Sequence, residues 1–119
     1  MSFYYLASVY SNYSKGIICA HEEACQEAAL LMRHGIVVFS PIAHSHSIAI
    51  HGDLDPFDHS LWLDADKKFM NAAKGLIVCM MEGWEFSEGI KAEIQYFSDA
   101  NQPVIYMTPG IVPGELSHE

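Results

Sequence analysis

Glu93 closes a short pattern, Ser87-Glu88-Gly89-Ile90-Lys91-Ala92-Glu93, whose residue types and spacing fit chemistry on a bound ligand. The neighbouring apolar residues Ile90, Ile94 and Phe97 recur at helical spacing, and Ser87 stands where a helix N-cap belongs. Gly89 in the first turn costs about 1 kcal/mol against alanine, so packing or a ligand must require the missing side chain. Helical Cα–Cβ bonds tilt toward the N-terminus, so Glu93, four residues on, leans over the space that Gly89 leaves open. It also lies roughly 60° from the apolar stripe at 100° per residue, which predicts a half-buried carboxylate. A carboxylate in that setting suits a nucleophile or a general base; the plainer alternative is a surface glutamate that borders the core. The amides that open this helix suit a phosphate or carboxylate group, with a simple N-cap as the alternative.

Other candidates surround this pattern. Asp64 and Asp66 fall on the preceding predicted helix, where either can reach inward or both can be solvated. His44, His46, His51 and His59 lie close to Asp53, Asp55 and Asp58, a density that suits metal binding or polarisation of a ligand. No HExxH, CxxC or CxxH spacing is present, so neither a metal nor another cofactor is expected. Tyr5, Tyr10, Tyr13 and Trp84 are able to stack on a planar ring, although aromatic residues near strand ends also serve as core. Cys19, Cys25 and Cys79 are odd in number and read as bystander or buried thiols.

The elements that must position these residues alternate between strand and helix. Phe3 to Ser8 is a short apolar run followed by a polar loop, Tyr10 to Ser14. Ile17, Ala20, Ala24, Ala28 and Leu31 then mark an amphipathic helix of about five turns, which Gly35 stops. Ile36 to Phe39 reads as a second strand, broken at Ser40-Pro41 because proline cannot continue a central strand. Ile42 to Ser60 is the least regular segment and reads as a functional loop or short helix. Leu61 to Lys74 is predicted to be helical. Leu76 to Met81 reads as a strand covered on both faces. The helix after Ser87 ends at Asn101-Gln102-Pro103, Val104 to Met107 forms a fourth strand, and the tail beyond Thr108 is expected to be extended. This alternation predicts one domain over residues 1–119, a three-layer α/β sandwich around a small parallel sheet with the flavodoxin-like or Rossmann-like order 2-1-3-4. Ligands then bind where strands 1 and 3 part, between the loops Ser8 to Ser14 and Met81 to Gly89.

The chain has 119 residues, half of them hydrophobic, and 15 acidic against 6 basic side chains give a net charge of −9. Such a field disfavours nucleic acid and anionic membrane surfaces as partners. An anionic small molecule needs local backbone donors, since Arg33 and five lysines are the only fixed cations. No apolar run reaches the length of a membrane span and the opening residues lack a basic leader, so a cytoplasmic location is expected.

Several segments together resemble the nucleoside 2-deoxyribosyltransferase superfamily. They are Tyr5-Leu6-Ala7-Ser8-Val9-Tyr10-Ser11, Phe39-Ser40-Pro41-Ile42 with His44-Ser45, Asp66 to Val78, and Gly83-Trp84 with Ser87-x-Gly89-x-x-x-Glu93 running on to Pro103-Val104. The similarity spans almost the whole chain and is closest to a small bacterial and phage branch with the same GW…SxGxxxE pattern. The resemblance implies that Glu93 attacks the anomeric carbon of a nucleoside sugar, with Asp66 rather than Asp64 assisting and Tyr5 lining the pocket near the nucleophile. Ser8, Tyr10, Ser11, His44, Ser45, Asp64, Trp84, Ser87 and Gly89 complete the expected substrate-binding set. Transferases of this superfamily carry a carboxylate six residues before the nucleophile, where this chain has Ser87, as the related nucleoside 5′-monophosphate hydrolases do, which tilts the resemblance toward a nucleotide N-glycosidase. The arginine of those hydrolases is replaced near Ser11, which leaves Lys15, His44 or His46 to meet a phosphate, and their first-turn proline is replaced by Val9.

The expected function is therefore cleavage or transfer at the N-glycosidic bond of a nucleoside or nucleoside 5′-monophosphate, in a homo-oligomer and without a metal. Two other classes remain open: a non-catalytic module that binds or senses a nucleotide, and a metal-dependent hydrolase built on the His44 to His59 segment.

Overall fold

The computed structural model describes residues 2–117. Met1, His118 and Glu119, which belong to the opening segment and tail read above, lie outside them. The elements are β1 (Tyr4–Ala7), α1 (Gly16–Arg33), β2 (Val38–Phe39), α2 (Pro41–His51), α3 (His59–Ala72), β3 (Gly75–Cys79), α4 (Glu88–Asp99) and β4 (Val104–Met107). Single 3₁₀ turns cover Trp84–Phe86 and Gly114–Leu116.

All strand pairings are parallel and the order is β2-β1-β3-β4. The domain is an α/β sandwich of three layers. The step from β1 to β2 runs opposite to the later ones, so right-handed crossovers place α1 on one face and α3 and α4 on the other. Ring packing agrees with this. Tyr5 lies between Phe39 of β2 and Phe97 of α4, at 5.8 and 6.0 Å between centroids, and Phe39 stacks on Phe69 of α3 at 4.0 Å. On the opposite face α1 buries Ala20, Ala24, Ala28 and Leu31, small residues that let the helix approach the sheet closely. β1 and β3 are buried along their whole length, which explains their unbroken apolar sequence.

Of the two readings of Ile42 to Ser60, a functional loop or a short helix, the structure has the helix over the first part, α2, with a turn after it. Ser40 and Pro41 do end β2, and the same two residues start α2. The Ser40 hydroxyl accepts from the Ala43 amide at 3.1 Å, and Pro41, with no N–H to lose, occupies the first turn. Asp58 caps α3 in the same way, accepting from the Leu61 amide at 3.3 Å, so α3 begins two residues earlier than the apolar spacing indicated. The tail is not simply extended. It turns at Gly114–Leu116 and inserts Leu116 into the core, while the Gly110 amide donates to Glu27 of α1 at 2.8 Å. No described helix is long and apolar enough to cross a membrane.

Gly75 fixes how closely β3 can lie to its neighbours. A Cβ there would meet Pro103 Cγ at 2.9 Å and Tyr4 Cε1 at 3.0 Å. Gly75→Ala is therefore expected to lower unfolding free energy by about 1–3 kcal/mol through overpacking, measured by denaturant titration. An unchanged midpoint would show that the sheet yields there.

Candidate functional site

β1 and β3 are adjacent, and the chain leaves their carboxyl ends in opposite directions. The loops that follow are tied at their far ends: Asn12 Nδ2 donates to the Gly83 carbonyl at 3.3 Å and Ser14 Oγ to Glu82 Oε1 at 2.6 Å. Between β1, α2, α3 and the start of α4 lies a cavity of about 730 Å³, within the range of small-molecule sites.

The structure brings most of the expected residues to this cavity. Ser8, Tyr10, Ser11, Ser45, Asp66, Ser87, Gly89 and Glu93 all line it. Tyr5 does not line it; the side chain is fully buried beneath. Asp64, His44 and Trp84 are not on its wall, and the reasons are geometric. Two residues along a helix turn the side chain by about 200°, so when Asp66 faces the cavity Asp64 faces solvent. By the same rule His46 faces the cavity while His44 packs on Phe39 and Phe69 at 5.3 and 5.6 Å. Gly83, at φ +85°, turns Trp84 onto Tyr106 of β4 at 5.7 Å. Of the groups named to meet a phosphate in place of arginine, only His46 reaches the cavity, and Lys15 lies 6.0 Å over the Tyr13 ring.

Further residues complete the wall. Phe57, Trp62, Phe86 and Tyr96 supply aromatic surface, and Lys67 is the one lysine or arginine among the described lining residues. Their membership depends on how α2, α3 and the intervening turn fold over the sheet, and nothing in local spacing announces it. Lys67 alone had a signal, since it follows Asp66 on the inward edge of α3.

α4 behaves as its sequence demands. Ser87 Oγ accepts from the Ile90 amide at 3.2 Å, capping the helix, and a Cβ at Gly89 would meet only Ser87 Oγ, at 3.8 Å. Packing therefore does not require the glycine. Its missing side chain leaves the cavity open beside Glu93.

Electrostatically the site is two carboxyl groups and a phenol in a poorly hydrated recess. Glu93 keeps partial exposure through the cavity, yet loss of water is the largest influence on it. Its pKa is pushed up to about 8, further raised by the Asp66 charge and eased by the Tyr5 hydroxyl. Burial likewise pushes Asp66 up to about 6. Burial, then the charges of Glu93 and Asp66, keep the Tyr5 phenol protonated far above its ordinary range. The Tyr5 hydroxyl makes no aligned hydrogen bond and neither does the buried Ser8 Oγ. Both acids sit where their protons are exchanged near neutral pH, a condition for acid–base or nucleophilic work. Among the described residues no three His, Cys, Asp or Glu side chains come together in a way that holds a metal ion. The three thiols are dispersed, with Cys79 buried, Cys19 partly buried and Cys25 exposed.

Fold and site together define a parallel α/β sandwich domain with a carboxyl-bearing crevice at its switch point. Residues 2–109 match the family described as a domain of unknown function, DUF1937, and the chain belongs to that family. Among curated proteins, none matches the chain.

The raised Glu93 pKa carries a stability cost with a definite sign. Below about pH 4.5 the acid is protonated in both folded and unfolded chains; as pH rises toward 8 the unfolded chain ionises first and stability is lost. Glu93→Gln, which cannot ionise, is expected to gain on wild type by about 2–4 kcal/mol between pH 4.5 and 8. Thermal unfolding across that interval checks this, and a constant difference between the two proteins would contradict the assigned burial.

Proposed function

We propose that the domain cleaves or transfers the N-glycosidic bond of a nucleoside or nucleoside 5′-monophosphate, with Glu93 as nucleophile and Asp66 as its assisting acid. The observation that carries this reading is the facing of Glu93 and Asp66 onto one cavity with their pKa values separated, at about 8 and 6. Resemblance to the nucleoside 2-deoxyribosyltransferase superfamily adds the reaction class. Between the two values the pair holds one proton, mostly on Glu93, and the reactive form is the minor tautomer in which Asp66 holds that proton and Glu93 is the carboxylate. The carboxylate attacks the anomeric carbon as the bond to the base breaks, and the acid protonates the departing base. Water or a second base then opens the glycosyl ester and frees Glu93, and the proton that this incoming group loses passes to the Asp66 carboxylate. A carboxylate against the anomeric face stabilises the oxocarbenium-like transition state, as in retaining glycosidases. Aromatic rings at Tyr10, Phe57 and Trp62 offer stacking surface for a planar base.

The test is to incubate wild type and Glu93→Gln with ribo- and deoxyribonucleosides and their 5′-monophosphates, with and without an acceptor base, and to follow free and exchanged base by chromatography. Release by wild type alone supports the reading. The kcat/KM profile is then expected to be bell-shaped, with limbs near pH 6 and 8. Asp66→Asn should slow release by roughly 100-fold or more, lose the alkaline limb, and leave one acid limb, the ionisation of Glu93, above the wild-type limb near pH 6 but below 8 because a like charge has left Glu93.

Gly89→Ala separates ligand space from folding. The methyl meets no protein atom closer than 3.8 Å, so stability is expected to hold or rise by up to about 1 kcal/mol while base release falls at least tenfold. Full activity would remove Gly89 from the ligand's path.

One observation favours a second reading. A Glu93 that keeps its proton at pH 7 is a hydrogen-bond donor before it is a nucleophile, which suits a module that binds a nucleotide without turnover. No release from any substrate, with equal ligand-induced thermal shifts in wild type and Glu93→Gln, would select it.

A further inference from the structure

His46 is buried on α2, and its ring meets two partners from other elements. The Tyr10 hydroxyl, from the loop after β1, lies 2.6 Å from His46 Nδ1. The His21 ring, from α1, stacks on it at 4.5 Å between centroids and 27° between planes. His21 Nε2 in turn lies 3.3 Å from Ser47 Oγ of α2 and 3.6 Å from Cys25 Sγ of α1. Two imidazoles thus form the seam between α1 and α2, and one of them also borders the cavity together with Tyr10.

At 2.6 Å this is a short hydrogen bond whose direction depends on the His46 tautomer. With Tyr10 as donor and His46 Nδ1 as acceptor, His46 is the neutral tautomer with its proton on Nε2, the arrangement that the ring spectra below test. A second proton on His46 must sit on Nδ1. It would face the hydrogen that Tyr10 points at it, so the hydroxyl must turn away and accept over a longer contact. One charged imidazole in the stack is tolerable; two at this spacing repel. No carboxylate among the described residues pairs with either ring. The titratable groups that face His46 are His21 on α1, Tyr10 in the loop after β1 and His51 on its own helix, with Asp66, Glu93, His59 and Lys67 lining the other walls of the cavity.

We propose that the His21–His46 stack is a proton-operated latch that holds α2 against α1 in its neutral or singly charged form and releases this wall of the cavity when both rings are charged. Burial first, then His21 and His51, hold His46 below its ordinary value, so release belongs to conditions more acidic than those that charge an ordinary histidine. The latch is distinct from the carboxyl pair, and needs neither a substrate nor the function proposed above.

Histidine ring ¹⁵N spectra and amide exchange, corrected for intrinsic rates, test it between pH 7.5 and 5 on the full chain. In wild type His46 should show the Nε2–H tautomer at pH 7.5, and exchange over residues 41–51 should accelerate at least tenfold by pH 5. His21→Phe keeps a ring in the stack but takes no proton. In it His46 should titrate closer to its ordinary value while α2 stays protected at pH 5. His21→Gln serves as the second variant should the phenylalanine misfold. Tyr10→Phe should scramble the His46 tautomer and leave the acid-driven exchange in place. An Nδ1–H tautomer at pH 7.5, or equal acceleration in wild type and both His21 variants, would overturn the proposal.

Discussion

The pairing of β1 with β3 is the constraint on which the crevice depends. Their ladder runs from Tyr4 opposite Gly75 to Ala7 opposite Val78, so the strands stop near the same level and the chain diverges from there. Both strands are buried on both faces, and hydrophobic burial makes this the part of the sheet least able to shift. Tyr5 sits in the ladder and carries its ring toward α3 and α4, where the hydroxyl meets the fields of Glu93 and Asp66. A register slip of one residue would turn Tyr5 to the α1 face and leave that position to Leu6.

The same burial makes the site costly. Glu93, Asp66, the Tyr5 hydroxyl and Ser8 Oγ are polar groups that the folded chain leaves poorly hydrated and incompletely paired. Each opposes folding, because water served it better in the unfolded chain. A single domain with net stability of about 5–15 kcal/mol carries such a cluster only where the surrounding core offsets it. Concentration of these groups at the switch point, away from the well-packed α1 face, separates the part that holds the fold from the part that bears the carboxyl pair.

How much of this was legible in the sequence follows from the range of each interaction. The order 2-1-3-4, the extent of β4, the α1 stripe and the Ser87 cap rest on short-range periodicity and turn chemistry, and the structure has them as read. The inward lean of Glu93 over Gly89 belongs to the same kind. α2 stayed open between loop and short helix because Ser40-Pro41 is a signal with two meanings, the end of a strand and the start of a helix. The choice between His44 and His46, and between Asp64 and Asp66, needed the helix phase, which local apolar residues define poorly on α2 and α3. Tyr10 with His46 and His21 was out of reach, since those contacts join positions 36 and 25 residues apart.

The rim of the cavity carries the remaining imbalance. Phe86 is 76% exposed and Phe57 45% exposed, and both border the cavity with apolar faces that the fold does not cover. Single exposed apolar residues need no explanation, but here two exposed aromatic rings border a carboxyl-bearing recess. Any apolar surface laid on either ring would leave water together with it. Such cover would also displace water from the recess and raise the penalty on any charge inside. Cover at the rim and electrostatics at the floor are then coupled: under the proposed function, a neutral ring at the mouth would strengthen the attraction between the carboxyl pair and positive charge that develops beside it.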